Sequence, residues 1–94
     1  MDIKEEKNVL FDALLNLKTR KDVADFLDDL LTYKELESLT QRAYAAKLLL
    51  ENNTYEEITK TTNISSATLS RINKCILHGS GGYKNFIKDN SSKN

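Results

Sequence analysis

The 94-residue chain is predicted to be all-α, with six helices and a helix-turn-helix over residues 54–77. Three observations predict this. Apolar residues recur at i, i+3, i+4 and i+7 through most of the chain, the spacing of one helix face. There is no proline, and the three glycines lie within Gly79–Gly82, so no strong breaker interrupts residues 1–78. Thr19–Asp22, Thr32–Glu35 and Thr54–Glu57 each place a hydroxyl three residues before a carboxyl, the spacing of a capping box at a helix start.

The elements follow in order. Residues 3–18 form a first helix with Val9, Leu10, Ala13, Leu14 and Leu17 on one stripe, widened by Phe11 and Leu15. Thr19 and Asp22 open a second, where Val23, Phe26, Leu27, Leu30 and Leu31 share a face. Asp25, Asp28 and Asp29 fall opposite and read as a solvated surface. Thr32 and Glu35 open a longer helix to about Glu51, with Leu36, Leu39, Ala43, Ala46, Leu49 and Leu50 as its apolar positions. Asn52-Asn53 closes it. Gly79-Ser80-Gly81-Gly82 stops the fifth helix, and residues 83–88 form a short sixth carrying Phe86 and Ile87. A polar tail, 89–94, follows a single helical domain spanning residues 1–88.

Between these lie two short helices in T-Y-E-E-I-T-K-T-T-N-I-S-S-A-T-L-S-R-I-N-K-C-I-L. Thr54 caps the first with Glu57, and Ser65 caps the second. Asn63 stands at the turn, where Asn tolerates a left-handed backbone. Ile58, Ile64, Leu69 and Ile72 are placed to meet in the angle between the helices. Ser66, Ala67, Thr68, Ser70, Arg71 and Lys74 are left on the outer side of the second helix. Paired amphipathic helices occur in any helical bundle. This pair is set apart by its free surface, which is short and hydrogen-bonding at its start and cationic further along. Ser and Thr can bond base edges, Ala and Thr methyls can touch thymine methyls, and Arg reaches guanine or phosphate. The second helix is therefore the expected reader of a DNA major groove.

Net charge is zero, but the charges are segregated. Residues 1–31 hold five Lys/Arg against eight Asp/Glu; residues 54–88 hold five against two. A local basic patch can steer toward a polyanion without a basic whole. Cys75 is the sole cysteine, so no intramolecular disulfide can form, and a cytoplasmic location is expected. With His78 it makes two ligands at most, too few for a metal site, and it is expected to be a small apolar core residue. No membrane span, signal peptide, phosphate-binding loop, catalytic carboxylate pair or nucleophile–base pair is recognisable, so neither enzymatic activity nor a cofactor is expected.

The first two helices carry more apolar surface than the helix-turn-helix can cover. A second copy of the chain is the expected cover, since small domains are often stabilised by association; the alternative is a monomer covered by the long third helix. In a two-fold dimer the reading helices would stand roughly 34 Å apart, one DNA turn.

From Leu31 to about Leu77 the chain resembles the Trp repressor superfamily. L-T precedes a long helix, followed by L-x-x-R, paired leucines, T-Y-E-E-I and A-T-L-S-R-I-N. Q-R-A-Y-A-A-K-L-L-L, S-S-A-T-L-S-R-I-N-K-C and H-G-S-G-G-Y are similar to the small bacterial YerC/YecD proteins. The resemblance implies an intertwined dimer of six-helix subunits that represses transcription on double-stranded DNA. It also implies a small-molecule site. The arginines that hold tryptophan in the repressor match Arg42 and Arg71, and its capping threonine matches Thr32. The repressor's glycine after the second arginine is Ile72 here, and its serine three residues on is Cys75. A β-branched side chain occupies space an indole needs, so tryptophan is not the expected effector. Arg42 and Arg71 are left to bind phosphate, to pair with Glu35, Glu37 or Glu51, or to hold another ligand. The repressor's DNA-facing positions map to Tyr55, Glu56, Thr59, Lys60, Ser66, Ala67, Thr68 and Ser70, with Lys74 a further phosphate contact. Glu56 replaces an arginine, which implies a different operator. Two other functions compete with DNA reading: a helix-turn-helix protein-interaction module, and a sensor of a ligand near Arg42 and Arg71.

Overall fold

The computed structural model describes residues 3–87 and contains six helices. They are α1 (Ile3–Leu15), α2 (Arg20–Leu30), α3 (Tyr33–Leu50), α4 (Tyr55–Thr61), α5 (Ser66–His78) and α6 (Gly82–Phe86). The described residues contain no strand. The chain divides into two compact units at Leu36/Glu37, within α3. Lys88 and the polar tail lie outside the described residues.

In the first unit, α1 stops at Leu15, three residues short of the expected end. The reason is the cap that follows. The Asp22 carboxylate accepts from the backbone N–H of Lys18 at 3.0 Å and of Thr19 at 3.2 Å, while the Thr19 hydroxyl accepts from Asp22 N–H at 3.0 Å. Those amides are thereby drawn out of α1 and into the start of α2. Neither α1 nor α2 has a buried residue. Phe11 is 52% exposed and Leu15 81% exposed, so the apolar stripe lies open within the chain itself. A second capping box opens α3: Thr32 N–H donates to Glu35 Oε1 at 2.8 Å, and Glu35 N–H donates to Thr32 Oγ1 at 3.1 Å.

The second unit holds the core. Ala45, Ala46, Ile58, Ile64, Leu69, Ile72 and Ile76 are buried together, with Leu48, Leu49, Leu50, Tyr55, Tyr83 and Ile87 packed around them. The α3 contribution differs from the stripe read by spacing. Ala45 is fully buried beside Ala46, whereas Leu39 is exposed. Two methyl side chains on α3 leave room for the branched residues of α4 and α5. Burying each of those residues contributes about 1.5–3 kcal/mol.

Asn52 ends α3 in the left-handed region at φ 68°. Its N–H donates to Leu49 O at 3.0 Å and the Asn53 N–H donates to Leu48 O at 3.1 Å. This pair of bonds is a Schellman closure, which places a left-handed residue just past the helix. Asn52 is the only non-glycine residue with positive φ among those described. Asn63, expected in that conformation, does not adopt it. The turn between α4 and α5 is instead made by Thr62. Its hydroxyl donates to Ile58 O at 2.8 Å and accepts from Ile64 N–H at 3.2 Å. A side chain thus replaces the backbone twist that Asn63 would have supplied.

Ser65 caps α5 as expected, accepting from Thr68 N–H at 3.2 Å. Cys75 is exposed, contrary to its expected place in the core. Ile72 and Ile76 take the inward positions of that helix, and Cys75 falls off their face. Gly79 ends α5 where a Cβ would fall 2.5 Å from the Cys75 carbonyl oxygen. Any side chain there would force the helix end to move.

The caps set an acid limit to stability. Hydrogen bonds from the Thr54 backbone N–H and then its hydroxyl lower the Glu57 pKa, and bonds from the Lys18 and Thr19 amides lower that of Asp22. Depressed carboxyl values contribute stability that is complete above the unfolded carboxylate range and lost as pH falls through the folded values. Urea midpoints measured down an acid series should therefore fall in that window, and less steeply in the Asp22→Asn/Glu57→Gln double variant. Equal acid limbs in the two proteins would refute this. At neutral pH, Thr54→Ala should cost about 1 kcal/mol through loss of the cap.

Candidate nucleic-acid interface and adjoining pocket

The helix-turn-helix is held at both ends by caps and at its centre by burial. Thr54 N–H donates to Glu57 Oε1 at 2.7 Å, and Glu57 N–H donates back to Thr54 Oγ1 at 3.1 Å, fixing the start of α4. Ile58 on α4, Ile64 in the turn, and Leu69 and Ile72 on α5 are all buried. That clamp turns the opposite side of α5 outward. Ser66, Ala67, Ser70, Arg71 and Lys74 are exposed. Residues 66–78 contain no acidic side chain, so the outer face of α5 is positive.

The remaining candidates divide by environment. Glu56, Thr59 and Lys60 are exposed on α4. The Thr59 hydroxyl donates to Glu56 O at 3.0 Å, which leaves it an acceptor toward any partner. Tyr55 is half-buried and packs against the core, so much of its ring serves stability. Thr68 is half-buried as well. Its backbone N–H donates to Ser65 Oγ, and the two hydroxyls bond at 3.1 Å. Lys60 adjoins Leu48, Asn53, Glu57, Ile58 and Thr61 around a small surface pocket.

Arg42 on α3 and Arg71 on α5 line one pocket of about 330 Å³. Ser38, Gln41, Thr68 and Ile72 complete it. Arg42 Nε donates to the Ser38 carbonyl at a long 3.5 Å. The carboxylates set against these arginines in the sequence are engaged or elsewhere: Glu35 is in the α3 cap, and Glu51 pairs with Lys47 at 2.8 Å. Among the described residues neither arginine pairs with a carboxylate, Glu37 included. Ile72 is both a core residue, 2% exposed, and the pocket's apolar wall. Ser38 and Gln41 went unrecognised in the sequence. Their signal is weak: Ser38 stands one turn before Arg42 and Gln41 beside it, and only the approach of α5 gives that grouping meaning. Thr32 is occupied in the α3 cap.

An all-helical chain presenting an exposed, cation-bearing second helix from a capped helix-turn-helix has the architecture of a DNA-binding regulator. The chain belongs to the Trp repressor family, whose model, described as Trp repressor protein, matches residues 5–91. It is 40% identical over 80 residues to the uncharacterized protein YerC of Bacillus subtilis (strain 168), covering 85% of this chain and 77% of that one. A TrpR-like protein from Eubacterium eligens ATCC 27750 superposes with a TM-score of 0.81 at 40% identity, covering 86% of this chain and 84% of the other. A candidate Trp repressor from Staphylococcus aureus gives 0.82 at 34% identity, covering 93% and 91%. Members of this family are regulators rather than enzymes, and no helix among the described residues is long and apolar enough to cross a membrane.

The position of Ile72 bears on tryptophan. A ring entering the pocket meets a branched side chain anchored in the core, and overpacking typically costs about 1–3 kcal/mol. That corresponds to roughly 5- to 150-fold in affinity. Calorimetric titration with L-tryptophan should show no tight binding. A dissociation constant in the low micromolar range, coupled to tighter DNA binding, would refute this. Ile72→Ala should open the wall at a cost of about 2–5 kcal/mol in stability.

Proposed function

We propose that this chain is a sequence-specific DNA-binding transcriptional repressor. It acts in the cytoplasm as a homodimer, with residues 1–88 as one helical DNA-binding and dimerisation domain. The observation that carries this reading is the outer face of α5. It is exposed, free of acids, uncharged at Ser66, Ala67 and Ser70, and cationic at Arg71 and Lys74. Short hydroxyls suit base edges and cations suit phosphates. The open apolar stripes of α1 and α2 support the dimer, because large exposed apolar patches mark association surfaces. The pocket of Arg42 and Arg71 is the site of a small effector other than tryptophan. A second reading rests on Glu56. An exposed acid in the first turn of α4 opposes a phosphate backbone, which suits a helix-turn-helix that binds a protein instead. Selection of binding sites from random duplex DNA, with and without metabolites, separates the two. An enriched palindrome supports DNA reading; no enrichment supports the protein-interaction module.

Sedimentation at micromolar concentration should give twice the 10.7 kDa chain mass. A folded monomer under those conditions would sink the dimer.

On the selected duplex, Thr68 and Ser70 should read bases while Lys60 and Lys74 hold phosphates. Ser70→Ala should cost about 1–3 kcal/mol and relax one position of the site. Lys74→Ala should weaken binding to all sequences and flatten the salt dependence by about one unit. Identical effects of the two substitutions across sequences would contradict this division. Thr68 also lines the effector pocket, so Ser70 is the cleaner probe of base reading.

A further inference from the structure

We propose that the Glu56 carboxylate on α4 reads a cytosine in the major groove and so fixes one position of the operator. This rests on the DNA-binding role given above and names a specificity residue within it. α4 buries Ile58 and leaves Glu56, Thr59 and Lys60 exposed. Its two acids are not equivalent. The Glu57 carboxylate accepts from Thr54 N–H at 2.7 Å and is held in the cap. Glu56 forms no ion pair among the described residues, not even with Lys60 one turn on. Thr59 lies three residues beyond Glu56, on the same face of the helix. Its hydroxyl donates to the Glu56 carbonyl at 3.0 Å, so only its lone pairs are left for a partner. A carboxylate likewise accepts and cannot donate. Glu56 and Thr59 together offer acceptors and no donor.

The first helix of a helix-turn-helix crosses the DNA backbone beside the groove that the second helix enters. An acid on that helix meets either phosphates, which repel it, or base edges. Only two base groups donate in the major groove, the amino groups of adenine and cytosine. The adenine amino group stands between two acceptors, its own N7 and the O4 of the paired thymine. An acceptor-only surface is repelled on both sides of it. The cytosine amino group has an acceptor on one side alone, the guanine O6, and a carboxylate accepts from it. Cytosine is therefore the base that suits Glu56. The charge that opposes the backbone becomes a determinant of sequence, because it favours only the duplexes that place this amino group beneath it.

The test selects duplexes from random DNA with the full chain, with Glu56→Ala and with Glu56→Gln, and then measures each protein on the selected site and on its four versions at the Glu56-dependent position. The unsubstituted chain should prefer cytosine there, and replacing it should weaken binding about 5- to 150-fold, the range of one base-pair mismatch. Glu56→Ala should lose that preference and keep the others. Glu56→Gln should exchange it for adenine, since an amide both donates and accepts and matches adenine N6 and N7. The Glu56 side chain is exposed, so both variants should fold, which thermal melting checks. An acid that only repels the backbone gives a different result: both variants bind every sequence more tightly by one common factor, with no change of preferred base. That result, or an enriched site with the same preferences in all three proteins, overturns the proposal and leaves DNA reading by α5 standing. The absence of any enriched duplex overturns both.

Discussion

The helix-turn-helix depends on one packing event: Ile58 and Leu69, with Ile64 and Ile72, closing over the paired alanines of α3. Ala45 and Ala46 are fully buried, and a larger residue at either position would push α4 and α5 away from α3. The orientation of the α5 outer face follows from that contact. So does the pocket, whose α3 residues Ser38, Gln41 and Arg42 meet Thr68 and Arg71 only because the core beneath holds the two helices together. Ile72 belongs to both structures at once. A change there alters the core and the pocket in the same step.

Short-range hydrogen bonds do the complementary work. α4 has seven residues, too few to persist alone. It is sustained by the Thr54–Glu57 box at its start and by Thr62 at its end, with Ile58 buried between. The chain between α3 and α5 is therefore bonded by side chains at almost every bend: Asn53 to Leu48, Thr54 to Glu57, Thr62 to Ile58, Ser65 to Thr68. This places the polar residues of the motif in two classes, those spent on the turn and those left for a partner. Thr54, Thr62 and Ser65 belong to the first; Ser66 and Ser70 belong to the second.

Charge is organised locally. The chain is neutral as a whole, yet α5 carries only basic charged groups and α4 begins with Glu56 and Glu57. Glu57 is committed to the cap, so Glu56 is the free acid of the motif. A phosphate backbone approaching this surface meets attraction along α5 and repulsion at one point on α4. An interaction of that kind narrows the set of acceptable partners rather than raising overall affinity.

Much of this was legible from the residues in order. The inward set Ile58, Ile64, Leu69 and Ile72 follows from helical spacing on either side of the turn, whereas the three capping boxes and the Ser65 cap are local patterns with a span of three or four residues. Local geometry alone specifies them, and the structure places them as read. The failures share a different cause. Asn63 tolerates a left-handed backbone, but tolerance does not compel it, and the Thr62 hydroxyl supplies a competing turn. Cys75 suits a core by residue type, but Ile72 and Ile76 fill the inward face of α5 and Cys75 is exposed. Ala45 and the pocket neighbours Ser38 and Gln41 carry no signal of their own. Burial and site membership for these residues are properties of the approach between α3 and α5, a contact between segments some thirty residues apart, which tertiary packing decides and periodicity along one helix does not contain.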